Sequence, residues 1–307
     1  MKFSIDARYG YDISNMLKRF SRGLWLFLTS NKIVFASSAI VFFLFITALF
    51  APFIAPYPED SNMAIHLEDK LQAPSREHIF GTDEMGRDIF SRVIFGTRLS
   101  LMLAMAIIVI SAGAGIAYGL VSGYFGGKID TVMMRICEVF LSFPALLLAI
   151  AVSAILGPSL VNMTFSIALA WWPWFARIIR NETLSIKERG FVEAARTMSI
   201  RNSAILTRHI LRNALPVIIA QVSISFGSVI LTAASLSFLG LGVQPPAPEW
   251  GLMVSIGKNY FLNSWWYVTF PGLFIFVAVL AFNFIGDGLR DFFDPKMRAS
   301  GTEMQLF

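Results

Sequence analysis

The sequence predicts an all-α membrane protein with six transmembrane helices, on three observations. The chain of 307 residues is 56% hydrophobic and 15% charged, against roughly 45–50% and about 25% in soluble domains. Its mean hydropathy is +0.64. The apolar residues gather in runs of about 20, the length that crosses a bilayer, and the bases gather in alternate connections between those runs. A chain of this length could otherwise hold one or two soluble domains; the apolar runs exclude that.

The segments follow in order. Residues 1–32 carry Lys2, Arg8, Lys18, Arg19, Arg22 and Lys32, too long a basic region for a signal peptide. The run Ile33–Ala55 exceeds a signal-peptide core of ~7–15 residues and has no clean small-x-small exit, so it reads as a retained first span. Pro52 and Pro56 close it, and its many Phe residues suit lipid. The second span, Leu99–Val121, holds Gly113, Gly115 and Gly119, small residues that let a neighbouring helix approach. The third, Val139–Leu156, is interrupted by Pro144, and the fourth, Leu160–Ile179, contains Trp171, Trp172, Pro173 and Trp174. Proline within a span needs neighbours or water to satisfy the freed carbonyl. Val217–Leu239 and Tyr267–Leu289 complete the set, giving a six-span domain over 33–290 and a tail over 291–307. The loop charges, with Lys128, Arg135, Arg290, Lys296 and Arg298 on one side together with the bases of the 181–216 connection, place both termini in the cytoplasm. The first outside loop offsets its bases with acids such as Asp60, Asp83, Glu84 and Asp88.

Several function classes are disfavoured. The net charge of +5 lies in loops between spans, which points to membrane orientation and not to nucleic acid. Cys137 is the single cysteine, which excludes an intrachain disulfide and a multi-cysteine metal site. Glu138 and Asp287 lie near span ends, and Arg135 is one helical turn from Glu138, which favours an ion pair over a proton relay. His78, Asp83 and Asp88 match no standard metal spacing; Thr82 and Asp83 read as a cap or turn before a helix from Ile89. The tryptophans at 171, 172 and 174 read as interfacial anchors first and as cavity lining second. The Gln244–Pro248 turn reads as rigid and external, and Trp250, Tyr260, Trp265 and Trp266 after it suggest an interfacial helix, either a contact for a partner protein or a closure of the outer rim. No catalytic constellation, phosphate loop or resident cofactor is expected.

The connection over 181–216 stands apart. It exceeds the ~2–8 residues of a tight helix–helix link. Phe191, Ala194, Ala195 and Met198 recur at spacings of three and four with Glu193 and Arg196 between them, the pattern of a short amphipathic helix. A second helical stretch, Ala204 to Ala214, leads to Pro216, which suits a first helical turn. On pattern alone the short helix either enters a groove of another protein, Ala-Ala ridge first, or rests on lipid headgroups.

The residues Glu193-Ala194-Ala195-Arg196-Thr197-Met198-Ser199, continuing through His209 to Leu215-Pro216, resemble the EAA loop of ABC importer permeases. The loop departs from the family at Ser199, usually Gly, and at Arg212, usually Pro in the peptide branch. Three further blocks resemble the C-type permeases of dipeptide, oligopeptide and nickel importers: His78–Asp88, Ser237–Gly251, and Gly286–Asp291 with Asp294-Pro295. Glu138 stands where that branch usually has Asp. The resemblance implies a type I importer transmembrane domain that pairs with a homologous permease subunit. Two ATP-binding subunits dock beneath it and an extracytoplasmic substrate-binding protein docks outside. Glu193, Ala194, Ala195, Met198, Ser199 and Pro216 are then the ATPase-coupling residues, and ATP hydrolysis belongs to the partners. The implied cargo is a di- or oligopeptide, with nickel, its chelates or an oligosaccharide within the same branch. A stand-alone channel or secondary carrier is the alternative of another class; a carrier built on inverted repeats would carry broken helices in both halves, and no such repeat is visible.

Overall fold

The computed structural model describes Phe27 and residues 31–293. The bases from Lys2 to Arg22, and Asp294, Pro295, Lys296 and Arg298 of the tail, lie outside the described residues. The described residues form helices and loops without a strand. We label the principal helices α1 (Lys32–Leu49), α2 (Ile89–Phe125), α3 (Gly127–Leu141), α4 (Ala145–Leu156), α5 (Leu160–Lys187), α6 (Gly190–Thr197), α7 (Leu211–Phe238), α8 (Trp250–Gly257) and α9 (Trp266–Phe293).

Among the described residues four helical segments are long and apolar enough to cross a membrane: Lys32–Leu49, Ile89–Phe125, Asn202–Phe238 and Trp266–Phe293. The pair α3 and α4, bent by 81°, makes a fifth if it counts as one span. The break falls at Pro144, where the interrupted third span was expected. The remaining expected span lies in α5, whose 28 residues reach about 42 Å at ~1.5 Å per residue. Asn162, Pro173, the tryptophans and Arg177 dilute its apolarity. Length and composition therefore support four or five of the six expected spans.

Helix α1 shows why its phenylalanines are there. Phe35, Phe42 and Phe43 are exposed, the surface a lipid-facing helix presents. The centre of the fold is the contact of α2 with α5. A Cβ on Gly115 would lie 2.5 Å from Trp172 O, one on Gly119 2.4 Å from Ala176 O, and one on Gly123 2.8 Å from Arg180 O. Three glycines four residues apart thus open a groove into which the backbone of α5 fits. The stripe begins at Gly115, not Gly113, which faces open space. Trp172 wedges into the same seam, its ring 4.9 Å from Tyr118 and 5.5 Å from Phe140. Trp171 and Trp174 border a cavity of about 420 Å³ with Gln221, Ser228 and Arg290, the cavity-lining alternative.

The loop before α2 folds into a buried polar cap. Asp88 N-caps α2 by accepting from the Ser91 amide at 2.7 Å, and its other oxygen faces His78 Nδ1 at 3.1 Å. Asp83 closes the preceding turn, accepting from the amides of Met85 and Arg87, and pairs with the Arg87 guanidinium at 2.7 Å. The helix cap is therefore Asp88, while Asp83 belongs to the turn. Arg92 Nε stands 3.4 Å from Asp83, and its terminal nitrogens donate to the carbonyls of Asp60 and Pro246. This ties the Gln244–Pro248 turn to α2. Next to it Glu249 N-caps α8 through the amides of Gly251 and Leu252. Burial pushes the Glu249 carboxyl above its ordinary value against the pull of those amides. Trp250 is fully buried and donates to Val93 O, and Trp266 donates to Thr82 O. Of the aromatic residues expected at an external interface, Trp250 and Trp266 serve as packing; Trp265 is exposed.

Candidate functional site

The connection after the fourth span is shorter than its sequence range, because α5 continues through Asn181 to Lys187. After the Arg189 turn, α6 covers Gly190–Thr197. Its two faces divide as an amphipathic helix requires. Val192 and Ala195 are buried, in one apolar cluster with Ile186, Ile205, Ile210 and Ala214. Phe191, Glu193, Ala194 and Met198 are exposed, Met198 to 75%. The alanine pair is thus split: Ala194 faces out and Ala195, 3% exposed, faces in. Neighbouring residues on a helix lie about 100° apart, so both cannot ride one ridge. The outward ridge is Phe191, Ala194 and Met198, with the Glu193 carboxylate beside it. Glu193 has no ion-pair or side-chain hydrogen-bond partner among the described residues.

Ser199 ends α6 in a left-handed conformation, φ +56°. Its amide donates to Arg196 O at 2.9 Å and the Ile200 amide donates to Ala195 O at 3.2 Å. This is the paired closure that normally uses glycine. A side chain there costs roughly 1–2 kcal/mol relative to ordinary backbone. Ser199→Gly removes that cost but loosens the unfolded chain. The net gain is about 0.5–1 kcal/mol of local stability. Hydrogen exchange at the amides of residues 199 and 200 should slow by about two- to fivefold; faster exchange would show that Ser199 is not strained.

Beyond the turn, Asn202–Ala204 and a wider π-helical stretch, Ile205–Ile210, lead into α7. Pro216 lies inside α7, with regular helix on both sides, and not in a first turn as its sequence context implied. Because the helix begins upstream of it, Pro216 withholds the amide that would bond the Arg212 carbonyl.

Two contacts had no signal in the sequence pattern. Tyr124, at the end of α2, donates its hydroxyl to Asn202 Oδ1 at 2.7 Å, and the Arg196 guanidinium lies 4.9 Å from the ring centroid. Arg180 on α5 grips Asp130 on α3 through two nitrogens, at 2.9 and 2.5 Å. Tyr124 reads as one more aromatic residue at a span end, and Asp130 and Arg180 are 50 residues apart. Glu138 and Arg135 do pair, at 2.9 Å and well exposed. Among the described residues no group of three or more His, Cys, Asp and Glu is placed to hold a metal ion.

Comparison with known proteins assigns this architecture. Residues 115–299 match the family of binding-protein-dependent transport system inner membrane components, and residues 19–74 match the N-terminal TM domain of oligopeptide transport permease C. The dipeptide transport system permease protein DppC of Alkalihalophilus pseudofirmus is 43% identical, over 89% of this chain and 88% of its own length. The probable D,D-dipeptide transport system permease protein DdpC of Escherichia coli is 41% identical, over 89% and 90%. The glutathione transport system permease protein GsiD of Pectobacterium atrosepticum is 40% identical, over 91% and 92%. A solved structure of the MetNI methionine ABC transporter in an inward-facing conformation aligns with a TM-score of 0.50 and 21% identity, over 64% of this chain and 95% of that one; it shares the fold. The chain belongs to the binding-protein-dependent transport system inner membrane components, and within them to the C-type permeases of ABC importers.

Proposed function

We propose that this permease, paired with a homologous membrane subunit, forms the path by which a di- or oligopeptide enters the cell. Two ATPase subunits drive the pair, one of them docked on α6 of this chain, and an extracytoplasmic binding protein delivers the cargo. The observation that carries the cargo assignment is that the relatives above are named for dipeptide, D,D-dipeptide and glutathione transport while each covers nearly the whole chain. The docking assignment rests on α6, which holds an unpaired acid and an apolar ridge out of the body of the protein on a rigid base. Nothing in the chain supplies a phosphate loop, so the energy is supplied by the partners. The asymmetry of bases supports a cytoplasmic position for α6 and both termini.

The test is reconstitution. The chain is purified with the subunits that accompany it, placed in proteoliposomes with the binding protein, and assayed for ATP-dependent uptake of a labelled dipeptide. Uptake that unlabelled peptides compete for, and nickel ions and oligosaccharides do not, is the expected result. ATP-dependent uptake of nickel or an oligosaccharide without peptide competition would overturn the cargo assignment.

A further inference from the structure

We propose that Tyr124 is the positioning residue that fastens the coupling helix α6 to the α2–α5 pair, so that a displacement of α6 is delivered to those two helices as one body. The proposal rests on the reading of α6 as the ATPase contact. The Tyr124 ring is 5% exposed and belongs to the apolar cluster that contains Val192 and Ala195, the buried face of α6. Three groups from the loop and its approach converge on this side chain. Asn202 accepts its hydroxyl at 2.7 Å, the Arg196 guanidinium lies 4.9 Å from its centroid, and Lys187 Nζ lies 6.0 Å away. Arg196 is on α6 itself, Lys187 closes α5, and Asn202 follows the Ser199 turn, so one ring binds the segment before, within and after the helix. A cation over an aromatic face and a hydrogen bond to the same ring's edge fix both the distance and the tilt of α6.

The neighbour of Tyr124 makes this anchorage stiff. A Cβ at Gly123 would meet both Arg180 O and Thr183 Cβ at 2.8 Å, so α2 and α5 lie backbone against backbone at this level. Arg180, in that same seam, holds α3 through Asp130. The route from α6 into α7 is different. It passes through the π-helical Ile205–Ile210, a wider winding that is rare and occurs mostly as short bulges at functional sites. The loop is therefore tied to α2 and α5 through the Tyr124 ring, and it meets α7 through a π-helical turn whose Ile205 and Ile210 pack in the same cluster as Val192 and Ala195.

The test uses the assembled importer with its ATPase subunits and labelled dipeptide. Tyr124→Phe removes the hydroxyl contact alone, and Tyr124→Leu removes the hydroxyl and the cation contact. Peptide transported per ATP hydrolysed should fall about fivefold in Tyr124→Phe, the worth of one hydrogen bond of about 1 kcal/mol, and further in Tyr124→Leu, with the ATPases still bound. Asn202→Ala should match Tyr124→Phe, and the double variant should be no worse than either single, since both delete one contact. A readout independent of cargo is the distance between spin labels at Val121→Cys and Thr197→Cys, the latter exposed on α6 and outside the docking ridge; the native Cys137 is buried. That distance should stay fixed on ATP trapping in the wild type and spread in Tyr124→Leu. If the wild type binds ATPases but Tyr124→Leu keeps the full transport ratio, or the wild-type label distance shifts on ATP trapping, the proposal fails while the docking reading stands. If ATPases do not associate with the wild type at all, the docking reading fails and takes the proposal with it.

Discussion

Glu193→Arg is expected to strip the ATPase subunits from the complex and abolish ATP-dependent transport, while the permease itself still folds. Glu193 is exposed, without an ion-pair partner among the described residues, and in the first turn of α6. Reversing its charge costs the helix about 0.3–1 kcal/mol through the macrodipole, a minor loss for an exposed side chain. At an interface the effect is larger, because removing one partner of a hydrogen-bonded charge pair costs ~2–5 kcal/mol and a like charge adds repulsion. That corresponds to a loss of affinity of roughly 30-fold to several thousand-fold. Co-purification measures the first outcome and the thermal transition of the isolated permease the second. Glu193→Gln should fall between, because the amide keeps a hydrogen-bond acceptor and loses the charge. Unchanged ATPase recovery in Glu193→Arg would remove α6 from the docking surface.

Asp83→Ala is expected to be the most destabilising single substitution in the polar cap before α2. Asp83 is completely buried, and Arg87 and Arg92 beside it are 2% and 1% exposed. Its carboxylate accepts from two backbone amides and faces both guanidinium groups. Removing one partner of a buried pair costs about 3–5 kcal/mol, because the other charge is left without compensation. Here two guanidinium groups are left, and the turn that presents Asp88 to α2 also loses its amide acceptor. The expected result is a protein that accumulates poorly and unfolds at least several degrees lower in detergent. Asp88→Ala should be milder, about 0.5–2 kcal/mol, as the loss of a helix cap. Equal effects from the two would show that the cap's worth lies in the N-terminus of α2 and not in the charge cluster.

What was legible in the sequence follows from what each feature depends on. Span positions depend on runs of apolar residues, so α1, α7 and α9 and the break at Pro144 could be read directly. A helix from Ile89 could be read too, but not that it is one helix with the span placed from Leu99, because its first turns carry Ser91 and Arg92, which are buried by partners more than 30 residues away, the Tyr57 amide and the Asp60 carbonyl. The amphipathic pattern of α6 was legible, but which alanine faced outward was not: spacing gives the relative angle of two residues, and the neighbours set the absolute one. Ser199 carried the sharpest local signal, since a glycine usual at that position marks a left-handed turn. Tyr124–Asn202 and Asp130–Arg180 are separated by 78 and 50 residues, and no periodicity within one element reports such pairs.

The central claim is that the outward face of α6 is a protein-docking surface and not a lipid-resting one, and a cysteine scan of residues 191–198 in the assembled importer tests it most directly. Each variant is exposed in parallel to a short bifunctional cross-linker and to a membrane-partitioned thiol label. The account predicts cross-links to an ATPase subunit from positions 191, 194 and 198, the ridge seen here, none from the buried positions 192 and 195, and no lipid-phase labelling at any of them. Lipid-phase labelling along that ridge, without cross-links to an ATPase, would contradict it.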